Sequence, residues 1–171
     1  HVVGLVFRCA TNQPQMRALA GGSSELSYRN KFKVEEKISM WPDHYPEKCP
    51  PDDAEDVSGV VYRFTNRINP KHRDFLSYYE LKPDEDWGKK ACQARGLSIY
   101  TSEEDCKAAV SLVPALRKKK LCIAKLGSEF GVIAPTPSKN NYNHKTLWPL
   151  VSAQELAEMF MPMDTSKVAH A

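Results

Sequence analysis

The side chains best equipped for chemistry sit late in the chain. Between Pro135 and Trp148 the sequence PTPSKNNYNHKTLW sets Asn140, Asn141 and Asn143 around Tyr142 and His144 and ends on an indole. The amides offer hydrogen bonds, Tyr142 and Trp148 offer flat apolar surface, and His144 carries a group that titrates near neutral pH. Such a mixture suits a small-molecule site, so Tyr142, His144 and Trp148 are the candidate ligand-binding residues. The same residues also read as a surface loop whose Trp148 is anchored in the core. In either case the loop is long and polar, and loops held by a rigid scaffold carry function disproportionately. A second candidate is Glu36, on the otherwise apolar face of the segment KFKVEEKISMW. A carboxylate among apolar neighbours is a potential acid, though it also fits a strand end. No nucleophile elbow, phosphate-binding glycine loop, zinc-protease helix or dinucleotide fingerprint is present.

The five cysteines, Cys9, Cys49, Cys92, Cys106 and Cys122, are odd in number and irregular in spacing, with no C-x-x-C pair. A structural zinc site needs four convergent ligands, usually in close pairs. The spacing therefore predicts five reduced thiols and no metal. A net charge of +3, from 24 basic and 21 acidic residues, is too balanced to point to nucleic acid. No apolar run approaches the roughly 18 residues that span a bilayer, and Val2–Phe7 is too short for a signal-peptide core. The expectation is a soluble, cytoplasmic protein with no membrane partner. The chain opens on His1 and not on methionine, which suggests a processed chain or a fragment, and Met16 is an alternative start.

These side chains need elements to hold them. Alternation predicts strands over 31–41 and 57–65, with further strands at 1–7, 121–126, 130–134 and 146–150. Gly127-Ser-Glu129 between two of these runs predicts a β-hairpin. Thr101 and Glu104 have the spacing of a capping box and open a helix whose stripe is Cys106, Ala109, Val110 and Val113, with Pro114 ending it. Ser152 and Glu155 make a second box, before a stripe of Leu156, Met159 and Phe160. Asn69-Pro70 predicts a shorter helix start, with His72, Phe75, Leu76 and Tyr79 inward. The four charges of Arg117–Lys120 could grip phosphate, but the run reads first as a solvated turn that complements the negative end of the preceding helix. Ala20–Ser24 and Pro42–Asp56 read as turn and loop. The predicted class is α+β, a mostly antiparallel sheet of about five or six strands covered by two or three helices. One domain fits residues 1–171, with 1–24 an N-terminal extension and 162–171 a loose tail.

Val60-Val-Tyr-Arg63, taken with Gly96-Leu-Ser-Ile-Tyr-Thr-Ser102, resembles the ADP-ribosyltransferase fold. The resemblance implies that Arg63 holds NAD, that Ser98, Tyr100 or Thr101 lines the nicotinamide pocket, and that Glu129 or Glu155 orients the ribose. The late E-x-E or Q-x-E of that family is missing here. Cys92–Pro149 also resembles small bacterial proteins carried as orphan or mobile genes, a likeness that implies no particular activity. Two functional classes follow. One is a non-enzymatic binding or interaction module without a cofactor, its partner a small molecule or a protein. A second copy in a homodimer would suit Tyr78, Tyr79 and Trp87, residue types enriched at interfaces. The other class is a small NAD-using transferase.

Overall fold

The computed structural model describes residues 41–163. The expected strand over 1–7, that over 31–41 but for Trp41, the turn at Ala20–Ser24, the inward Glu36, the extension over 1–24 and the expected loose tail over 162–171 but for its first two residues lie outside these residues. Those two are not loose, since Pro162 pairs with Cys122 and the Met163 N–H donates to the Leu121 carbonyl at 2.9 Å.

Seven strands and three α-helices form within them, and every strand pairing is antiparallel. The class is α+β, with the strands shared between two sheets. β1 (Glu55–Asp56), β5 (Gly131–Pro135), β6 (Lys145–Pro149) and β3 (Leu97–Ile99) make the first, in that order. β2 (Gly59–Thr65), β4 (Lys120–Leu126) and β7 (Met161–Pro162) make the second. The helices are α1 (Tyr78–Leu81), α2 (Glu103–Leu112) and α3 (Ala153–Met159). Tyr62 of β2 and Tyr100, just past β3, exchange two backbone hydrogen bonds of 2.9 Å, and this bridge joins the sheets.

Burial follows side-chain alternation where one face is covered. In β4, Cys122, Ala124 and Leu126 are buried while Leu121 and Ile123 are half-buried and Lys125 faces solvent, the period of two that a half-buried strand imposes. β6 breaks that rule, because Thr146, Leu147 and Trp148 are all buried. It is covered on both faces. Leu147 belongs to the main core with Val61, Leu97, Ile99, Phe75 and Leu156. Trp148 belongs to a second cluster with Cys49, Val132 and Ala134, against which Trp41, Tyr45 and Ala54 pack. The segment before β1 is thus a cover, laid on the sheet face opposite the main core.

That cover is stapled. Cys49 and Cys92 form a disulfide with Cα atoms 5.4 Å apart, while Cys106 and Cys122 are buried free thiols. The expectation of five reduced cysteines fails for this pair. The two cysteines lie 43 positions apart in the sequence, so only the folded cover brings them together.

The predicted hairpin across Gly127–Glu129 does not form. β4 pairs with β2 and β7, whereas β5 pairs with β1 and β6. The turn at Ser128–Phe130 carries the chain from one sheet to the other. Gly131 permits the crossing: its φ is +142°, and a Cβ there would sit 2.1 Å from the Trp148 carbonyl oxygen. Only glycine fits such a position.

Helix starts were legible to within one residue in two cases. α3 carries the expected reciprocal box between Ser152 and Glu155, although Met159 of its predicted stripe is exposed. α2 is capped by Ser102, whose hydroxyl accepts from the Asp105 N–H at 3.1 Å. Thr101 was the expected cap. Its hydroxyl instead accepts from the Lys145 ammonium at 3.0 Å. Arg117 donates to the Val110 and Ser111 carbonyls at 3.3 and 3.2 Å, satisfying end groups of α2 as its basic character predicts. The third start lies further on. Instead of a helix from Asn69-Pro70, a 3-10 turn runs over His72–Phe75 with His72 exposed, and α1 follows, boxed by Ser77 and Glu80.

Candidate functional site

Arg63 is the best-built charged residue of the described chain. β2 carries it beside the seam between the sheets. Its Nε and Nη2 donate to the Asp74 carbonyl oxygen at 3.0 and 2.7 Å, and its Nη1 donates to the Ser98 carbonyl oxygen at 2.8 Å. Three of its five N–H groups are thereby fixed, leaving two. Burial pulls its pKa down to about 10, with Tyr78 and Asp74 opposing the shift, so it remains charged at neutral pH.

The same residues border a cavity of about 170 Å³, on which Arg63, Asn66, Arg73, Ser98 and Lys119 supply polar groups while Tyr78, Leu97 and Leu116 supply apolar surface. Asp74 also lines it, but its carboxylate is committed elsewhere. It accepts from the Asn66 and Lys71 backbone N–H groups at 3.1 and 3.0 Å and lies 3.6 Å from the Arg67 guanidinium. Burial works to raise the Asp74 pKa, yet those hydrogen bonds and Arg67 together bring it below the usual carboxylate value. The cavity is left with three cations around it, Arg63, Arg73 and Lys119, and an anion already neutralised by its own loop.

Of the residues implied by the resemblance, Arg63 and Ser98 meet on this cavity wall. Tyr100 does not border it and is paired through its backbone to Tyr62. Glu129 is exposed in the crossover turn. Glu155 is exposed too, accepting from the Ser152 N–H and hydroxyl at 2.8 and 2.7 Å. Those bonds lower its pKa. Neither glutamate borders the cavity.

The loop before β6 distributes its candidates differently. His144 is half-buried, its Nδ1 2.8 Å from the Thr136 hydroxyl and its ring edge-on to Tyr100. Asn141 donates to the Tyr100 hydroxyl at 2.7 Å, and Asn143 donates to the Asp105 carboxylate at 2.5 Å. Tyr142 is 68% exposed, whereas Trp148 is buried and donates to the Cys92 carbonyl at 2.9 Å. Tyr100, Asn141 and His144 therefore converge, and Tyr142 and Trp148 stand apart from them. Much of the loop's polarity ties it to α2 and to the seam.

The cavity residues that sequence patterns missed are Asn66, Arg73 and Asp74, which come from a turn with no fixed spacing. Lys119 belongs to the basic run 117–120, whose charges suit phosphate as well as a solvated turn. Among the described residues no group of three or more His, Cys, Asp or Glu converges as a metal site, and no helix is long and apolar enough to cross a membrane. No protein-family model, curated protein or solved structure matches the chain.

Proposed function

We propose that the chain is a small-molecule binding module whose cleft at Arg63 takes a phosphate-bearing ligand of the nucleotide kind. The observation that carries this is the charge balance of the cavity: Arg63, Arg73 and Lys119 border it, while the one carboxylate there is saturated by backbone N–H groups and Arg67. A planar guanidinium held on two carbonyls is pre-organised for a phosphate oxygen, and Tyr78, Leu97 and Leu116 offer apolar contact to a base or ribose. Calorimetric titration with pyrophosphate, ADP and NAD tests it. Binding should weaken by about five- to tenfold in Arg73→Glu, which removes one charge-assisted contact at an exposed position. If none of the three ligands binds, or if Arg73→Glu binds them unchanged, the cleft is not an anion site.

A second assignment, NAD-using transfer, is favoured by the meeting of Arg63 with Ser98. It lacks a carboxylate on the cavity to orient the ribose, so the same NAD titration, followed for release of nicotinamide, separates binding from turnover. The Cys49–Cys92 disulfide favours an oxidising compartment over the cytoplasmic setting expected from the sequence. Tryptic mapping of the protein from its native source would show whether the bond is present there.

A further inference from the structure

A larger cavity, of about 340 Å³, opens between α2 and the three-stranded sheet. Its apolar lining comes from Phe64, Cys106, Val110, Leu116, Leu121 and Met163. Four of these, Phe64, Leu116, Leu121 and Met163, are only partly buried and pack against the cluster of Tyr62, Tyr100, Cys106 and Ala109. The helix stands off the sheet here. Apolar walls facing a void lose contacts that a close-packed interior would make, and a volume of this order is that of ligand pockets.

The charge at the cavity is unbalanced. Lys107, Arg117 and Lys119 border it against a single carboxylate, Glu103. Lys107 is exposed and in no ion pair among the described residues. Arg117 has spent its Nε and Nη2 on the end of α2, which fixes its position without neutralising it. Lys119 reaches the Asn66 side chain, again a neutral partner. Lys118 and Lys120, both exposed, flank Lys119 in the sequence.

An apolar interior with a cationic border selects a ligand with an apolar body and one anionic group. We propose that this cavity binds a small amphipathic carboxylate, its apolar part over Cys106 and Val110 and its carboxylate beside Lys107 and Arg117. It is a site distinct from the Arg63 cleft, although Phe64, Leu116 and Lys119 form a wall common to both. The ligand's alkyl part supplies a hydrophobic contribution, since each methylene removed from water favours binding. The cations supply the discrimination between acid and neutral analogue.

The test uses the full chain and three probes: decanoate, decanol and acetate. Calorimetry should show decanoate binding at least about tenfold more tightly than decanol, a difference of about 1.4 kcal/mol, and no binding of acetate. Val110→Trp, which fills the cavity, should abolish decanoate binding with the circular dichroism spectrum unchanged. Lys107→Glu should weaken decanoate by about tenfold, and Lys107→Arg should restore it. Equal affinity for decanoate and decanol overturns the proposal, as does a failure of decanoate to bind. So does Val110→Trp or Lys107→Glu that binds decanoate like the unsubstituted chain. Should Val110→Trp not fold, the Lys107 pair decides by itself, because that position is solvent-exposed.

Discussion

The Arg63 guanidinium grips the Asp74 carbonyl oxygen through two nitrogens, at 3.0 and 2.7 Å, and so fastens β2 to the turn that follows it. One further bond, to Ser98, fastens the same side chain to β3. Arg63→Gln would leave the part-buried Asp74 and Ser98 carbonyls without these charged donors. A hydrogen bond from a charged donor is worth about 1.5–3 kcal/mol, so the substitution should cost on the order of 3 kcal/mol in urea denaturation. Unchanged stability would mean that Arg63 serves the cleft alone.

Two neighbouring hydroxyls make opposite predictions. Ser102→Ala removes the cap of α2 and should cost about 1 kcal/mol. Thr101→Ala loses a part-buried bond from the Lys145 ammonium, a flexible donor that can turn to water instead, and should cost about 0.5 kcal/mol, the low end for a hydrogen bond. Thermal unfolding of both variants checks the order, and the reverse order would move the helix start back by one residue.

His144 links stability to pH. Burial is the main reason its pKa is held below the ordinary 6.5, and the Arg63 charge adds to the effect while the Thr136 carbonyl opposes it. A base whose folded pKa is depressed is stabilising in its neutral form. The contribution is therefore complete above about pH 6.5, the unfolded value, and is lost as pH falls through the lower folded one. Urea midpoints between pH 7.5 and 5 should drop for the unsubstituted chain and drop less for His144→Gln. Parallel curves would place the titrating group elsewhere.

The disulfide closes a long loop, its ends 43 positions apart in the sequence. Loop-closure entropy predicts about 4 kcal/mol for a ring of that size. Replacing both Cys49 and Cys92 by serine should lower stability by about 2–4 kcal/mol. Mapping under non-reducing conditions should recover the Cys49 and Cys92 peptides joined. Separate, alkylated peptides would show that the bond is not made.

Cys106 should behave differently from a surface thiol. Burial, with Asp105, Glu103 and Glu104 adding to it, pushes its pKa up to about 12. At pH 8 the thiolate, which is the reactive form, is scarce. Maleimide should label it only after unfolding, and rapid labelling of the native protein would show that α2 opens readily.

What was legible in the sequence is what is decided locally. The Ser152–Glu155 box needs four residues in a row, and it is there. β2 needs a run of β-branched and aromatic residues, which GVVYRFT supplies. Thr101 and Ser102 could each cap a helix, and the choice falls to Lys145, a residue from β6. Gly127-Ser-Glu129 has the composition of a hairpin turn, yet its flanking strands find partners in different sheets. Cys49 meets Cys92 only after the cover has folded onto Trp148. The Arg63 cavity draws on β2, β3, the 66–78 turn and Lys119, so no window of sequence contains it.

The crossing at Gly127–Gly131 also bears on how fast the chain can fold. Among the described strands, β5 with β6 is the one pairing of sequence neighbours; β2 must wait for β4, β3 for β6, and β1 for β5. Each of those pairings requires a long loop to close before any contact rewards it. Such a topology belongs with the slower folders, and residues 131–149 are the natural place for pairing to begin.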